Sequence, residues 1–141
     1  MNFIHRLKSA VGIGTPTIAI EGVVGPVRAG EVLRGTLVLQ GGEYEVPVER
    51  VMLRFDEQHL THKVPSAAAP PDRVSERSLA AAELPLDPPV LRIGERVTRE
   101  FTLPLPATIE PSQGPRAYAL LAEVSIAGVD PRAELPLEVV A

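Results

Sequence analysis

A chain of 141 residues with no cysteine, no tryptophan, 15 prolines and 11 glycines is long enough to form one domain with its own core. Its 14 Lys and Arg against 18 Asp and Glu leave a net charge of −4, the wrong sign for non-specific binding of nucleic acid. Without cysteine there is no disulfide framework, thiolate metal site or thiol nucleophile, and the composition fits a reducing cytoplasm.

Residues 1–13 predict a short amphipathic helix. Phe3, Ile4, Leu7 and Val11 share a stripe, His5, Arg6 and Lys8 lie toward the other side, Asn2 can cap the start and Gly12 the end. Arg6 and Lys8 interrupt the apolar run, which is therefore no signal peptide, and the sequence has no stretch of the ~18–20 apolar residues a spanning helix needs. A helix of about ten residues is marginal alone. Its stripe is expected to dock on the domain or on a second copy; the alternative is an anionic membrane surface.

From Gly14 onward Pro and Gly divide the chain into pieces too short for ordinary helices. Residues 15–24 read as a strand with Ile18, Ile20 and Val24 on one face, followed by a turn over 25–30. Residues 31–40 alternate, Leu33, Gly35, Leu37 and Leu39 against Val32, Arg34, Thr36 and Val38, and Gly41-Gly42 closes the run. Residues 46–55 alternate again, with Val51, Leu53 and Phe55 facing the core and Arg50, Met52 and Arg54 opposite. Residues 64–74 form an Ala/Pro/Ser-rich flexible loop. Residues 77–86 contain good helix formers, yet Pro85 and the β context favour a strand. Residues 96–105 place Val97, Phe101 and Leu103 on one face. Residues 117–126 place Tyr118, Leu120, Ala122, Val124 and Ile126 together. After a turn at 128–131, Leu135, Leu137 and Val139 alternate to the C-terminus, with Pro136 marking an edge strand. About seven half-apolar strands without alternating helices predict an all-β, antiparallel β-sandwich over residues 14–141.

These segments resemble a bacterial sporulation-control family related to arrestins. The resemblance is carried by Val11-Gly12-Ile13-Gly14, by the run from Val27-Arg28-Ala29-Gly30-Glu31 through Leu39 completed by Gly41-Gly42, by Ile93-Gly94-Glu95-Arg96 through Phe101-Thr102-Leu103-Pro104, and by residues 118–124. It implies an immunoglobulin-like sandwich similar to the N-terminal half of an arrestin. Family members join two such sandwiches, so the resemblance also implies that a second copy could supply the absent half as a homodimer. Functionally it implies a non-enzymatic intracellular adaptor or regulatory scaffold that binds protein partners through a sheet edge or an outward sheet face.

The residues themselves offer few sites. Asp56, Glu57, His59 and His62 have metal-ligand chemistry, but His59 and His62 are three apart and point to opposite sides of a strand, so no metal is expected. None of the serines sits in a G-x-S-x-G elbow, and there is no phosphate-binding glycine motif, so neither a catalytic residue nor a cofactor is expected. Arg34, Arg50 and Arg54 lie on outward faces of two consecutive predicted strands. If those strands pair, the three form a basic stripe for an acidic or phosphorylated partner segment.

Overall fold

The computed structural model describes residues 14–61, 72–127 and 130–141. The expected helix with Phe3, Ile4, Leu7 and Val11 lies outside these residues, as do His62 and residues 64–71 of the expected loop. The regular elements described are all strands: β1 (Thr17–Glu21), β2 (Val27–Arg28), β3 (Val32–Gln40), β4 (Val46–Pro47), β5 (Arg50–Thr61), β6 (Asp72–Leu84), β7 (Val90–Leu91), β8 (Arg96–Pro104), β9 (Arg116–Ser125), β10 (Arg132–Leu137) and β11 (Val139–Val140).

The seven longer strands form two sheets, β1-β3-β8 and β10-β9-β5-β6, antiparallel throughout. Strand β1 touches β10 and β9, while β8 touches β6, so one sheet lies over the other. Between them sit Ile18 and Ile20 of β1, Leu37 and Leu39 of β3, Leu53 and Phe55 of β5, and Leu120 and Ala122 of β9, all buried. Each fully buried Leu or Ile contributes ~1.5–3 kcal/mol, and β alternation delivers one such side chain at every second position.

The two glycine-glutamate turns of the sequence mark opposite ends of the β3–β8 ladder. At one end Gly30 N–H donates to the Pro106 carbonyl and Leu105 N–H to the Glu31 carbonyl, both at 2.8 Å. At the other, Gly41 N–H donates to the Glu95 carbonyl at 2.7 Å and Gly94 N–H to the Gly42 carbonyl at 3.1 Å. Glu43 N–H also donates to the Gly14 carbonyl at 2.7 Å, so three chain segments meet around Gly41 and Gly42.

Four expectations are corrected. Val24 is 72 % exposed, and Val23 is buried in its place: β1 stops at Glu21, and Gly22, at φ +76°, turns the chain out of the alternation. The run over 46–55 is two strands, because Val46 and Pro47 pair with β7 before β5 begins beside β9. Strand β5 then continues six residues past Phe55, where its side chains turn polar and the apolar rhythm that marked it ends. Its partner β6 starts at Asp72, so residues 72–74 belong to a ladder and not to the expected loop. Pro136 does lie in an edge strand, and Pro131 accepting from Val124 N–H sets the bonding phase so that the Pro136 nitrogen faces away from β9.

Candidate functional site

The polar end of β5 is the least expected feature of the molecule. Asp56, Glu57 and Gln58 are all buried, Asp56 and Gln58 on the outward face and Glu57 on the core face. Opposite Glu57 in the β5–β9 register is Tyr118, whose ring stacks on Phe55 at 5.5 Å with planes 8° apart. The Tyr118 hydroxyl lies 3.1 Å from Glu57 Oε2 and within reach of the Glu110 carbonyl. Arg77 Nη2 donates to Glu57 Oε1 at 3.2 Å, His59 Nε2 stands 3.5 Å from the same oxygen, and Arg116 Nε lies 3.6 Å from Oε2. Both carboxylate oxygens are thus surrounded by donors from β5, β6 and β9, which offsets the cost of burying the charge.

Burial, reinforced by the neighbouring Glu57 carboxylate, pushes the Tyr118 phenol from 10.0 up to about 12. An acid held protonated in the fold contributes stability that is complete below pH 10 and lost as the pH rises toward 12. That contribution is about 2–3 kcal/mol. Tyr118→Phe is expected to abolish this alkaline loss; urea unfolding at pH 9, 10, 11 and 12 checks it, and equal pH dependence in both proteins would refute the assignment.

On the outward face, Arg54 Nε donates to Asp56 Oδ2 at 2.8 Å, while Asp56 Oδ1 and Gln58 Nε2 are buried with no hydrogen-bond partner. Burial first, then the Glu76 carboxyl, raises the Asp56 carboxyl above its usual range, against the pull of Arg54. Asp56 and Glu57 point to opposite sides of β5, so the two carboxylates do not converge, and only His59 of the two histidines lies within the described residues, beside Glu57. Among the described residues no three His, Asp or Glu side chains could hold a metal ion together.

The three-arginine stripe does not form. Arg34 sits on β3, whose neighbours are β1 and β8, whereas Arg50 and Arg54 sit on β5, between β9 and β6 in the other sheet. Consecutive strands in sequence cross between sheets here, and the stripe depended on their pairing. The structure instead adds Arg132 to Arg50 and Arg54. The three line a cavity of about 100 Å³ with Met52, Leu121 and Glu123. Arg132 and Met52 stand opposite Glu123 in their respective ladders, one on each side of β9. The alternation of Ala133, Leu135 and Leu137 already sends Arg132 outward, but only the strand order brings it near Arg50. Among the described residues Arg50 and Arg132 make no ion pair, and Arg54 is committed to Asp56.

The family model for Spo0M, described as SpoOM protein, matches residues 4–140. This chain belongs to the Spo0M sporulation-control family. Among solved structures it is similar to Spo0M, the sporulation control protein of Bacillus subtilis, at 17 % identity and a TM-score of 0.62, covering 93 % of this chain and 51 % of that one. The chain therefore spans about half the length of that Spo0M and shares its fold. A β-glucosidase from Listeria innocua in complex with gluconolactone matches at 13 % identity and a TM-score of 0.44, over 88 % of this chain and 16 % of the enzyme. The search of curated proteins found no match. Spo0M is a sporulation-control family and not a known enzyme family. Among the described residues no helix is long and apolar enough to cross a membrane.

Proposed function

We propose that this chain is a non-enzymatic, arrestin-like adaptor of the sporulation-control type, an immunoglobulin-like sandwich working in the cytoplasm. It binds an acidic segment of a partner protein on the outward face of the β10-β9-β5-β6 sheet. The observation that carries this reading is the pair of uncommitted guanidinium groups, Arg50 and Arg132, beside the apolar floor of Met52 and Leu121. Guanidinium forks take carboxylate or phosphate oxygens two at a time, and the floor lets an apolar neighbour of the acidic residue leave water. Arg54, anchored by Asp56, supplies a third positive charge of fixed position.

The test places a photo-crosslinking amino acid at Met52 and compares the parent chain with the Arg50→Glu, Arg132→Glu double variant in extract of the source cells. Expected is a specific protein captured by the parent and lost from a variant with unchanged circular dichroism and Tm. Capture that survives the charge reversal overturns the reading. So does cross-linking only to a second copy, which marks a homodimer, or only to lipid, which marks a membrane surface.

A further inference from the structure

Strand β3 runs four residues beyond its neighbour β1. The β1 ladder ends at Glu21 opposite Thr36, while on its other side β3 stays paired to β8 down to Val32 opposite Pro104. Gly41 donating to Glu95 and Leu105 donating to Glu31 set the phase of that second ladder. The odd-numbered residues of β3 bond to β8, and the even-numbered ones face the β1 side. Past Thr36 those are Arg34 and Val32, whose backbone N–H and C=O groups have no partner among the described residues.

The track β1 would have followed is open because Gly22 turns the chain away and Val23 drops inward beneath Gly35. A Cβ on Gly35 would lie 2.6 Å from Val23 Cγ2. What remains is a groove of about 260 Å³ bordered by Gly22, Val24, Glu31, Val32 and Arg34. Val24 is 72 % and Val32 42 % exposed, two of the large apolar side chains left in water, and Arg34 makes no ion pair among the described residues.

We propose that this free stretch of β3 is a strand-addition site for an extended peptide segment of a protein partner, laid antiparallel to β3 in the track β1 vacates. Two backbone positions that bond outward supply the ladder, and an open edge recruits any chain able to complete it. The register then dictates the side chains. The peptide residue opposite Arg34 is acidic, forming a cross-strand pair, and the residue opposite Val32 is apolar. The one between them stands opposite Leu33 and points to the core side, where the buried Val23, Val27 and Leu33 already line the groove, so it is small. The pattern, read in the β1 direction, is acidic, small, apolar. The site shares with the adaptor reading only that the partner is a protein; it lies on the other sheet from Arg50 and Arg132 and is scored by different atoms.

The probe is the acetylated peptide Thr-Thr-Glu-Ala-Val-Thr, titrated into the 15N-labelled chain to millimolar concentration. Expected are shifts centred on the Val32 and Arg34 amides and at least tenfold slower hydrogen exchange there, with Leu33 and Gly35 already protected in the free chain. N-methylation of the peptide at its Glu should abolish binding, and Glu→Lys should weaken it several-fold. Arg34→Pro removes an N–H on the open side and no bond to β8, so it should lose the peptide while keeping the parent's circular dichroism. Should that variant fail to fold, the N-methylated peptide makes the same test on the parent chain. Val32 and Arg34 amides protected before peptide is added would overturn the proposal, since the edge would be occupied by this chain or a second copy. Shifts confined to Arg50, Met52 and Arg132, or none, overturn it as well, and the first result leaves the adaptor reading standing.

Discussion

Gly42→Ala is expected to lower the stability of the fold by at least about 3 kcal/mol, the top of the range for overpacking a well-filled site. A Cβ at this position would lie 1.8 Å from the Gly14 carbonyl oxygen, 2.7 Å from its carbon and 2.8 Å from the Thr15 carbonyl carbon. All three are backbone atoms, so no side chain can swing aside. Moving them breaks the Glu43 to Gly14 hydrogen bond that ties the entry of β1 to the exit of β3. Gly41 is under the same constraint, with a Cβ placed 1.9 Å from the Arg92 carbonyl oxygen. Neither residue has a positive φ; the reason for glycine here is close approach of three chain segments and not backbone freedom. Gly94 is the contrast. It has φ +66° and open space around its would-be Cβ, so Gly94→Ala should cost only about 1–2 kcal/mol from the left-handed conformation. Urea midpoints of the three proteins decide the matter. A Gly42→Ala variant as stable as Gly94→Ala would show that the entry of β1 and the exit of β3 are not held in close approach.

The second large effect is expected at Glu57. Glu57→Ala should cost about 2–4 kcal/mol, from the cavity and from a buried Tyr118 hydroxyl that loses an oxygen 3.1 Å away. The figure stays below that for severing a fully buried ion pair because the Arg77 side chain is 71 % exposed and returns to water. Glu57→Gln keeps the volume and an acceptor and should cost roughly half as much. Combining Glu57→Ala with Tyr118→Phe should recover about 1 kcal/mol relative to the sum of the single variants, since the second change removes the orphaned group. Strict additivity in that cycle would mean that the phenol relies on the Glu110 carbonyl alone.

Much of the strand pattern was legible in the sequence because a sheet buried on one side writes its period of two into the side chains. Leu33, Leu37 and Leu39 face inward as their spacing demands, and Tyr118, Leu120, Ala122 and Val124 do so across β9. Pro136 marked an edge, and Pro85 argued for strand over helix where β6 forms, though β6 stops at Leu84, before the expected end at 86. The signal failed where alternation carries no apolar information. Residues 56–59 fell beyond the expected strand over 46–55, yet they lie in a central strand between β9 and β6, where pairing buries polar side chains that have partners waiting on the neighbouring strands. Val24 was misread because a single left-handed glycine shifts the phase of everything after it.

For this chain, the sequence by itself determined that the fold is β, the inward face of most of its long strands, and a resemblance to the sporulation-control proteins. The first two follow from neighbours along the chain, through side-chain period and turn chemistry; the resemblance rests on the motifs around Gly30-Glu31, Gly41-Gly42 and Gly94-Glu95. Tertiary structure decided which strands are adjacent. It separated Arg34 from Arg50 and Arg54, brought Arg132 to the latter two, assembled polar groups of three strands around Glu57 and Asp56, and left the end of β3 without a neighbour on its β1 side among the described residues. Adjacency between strands is set by how two sheets fit across a common core, a property of the packed whole that no local spacing records.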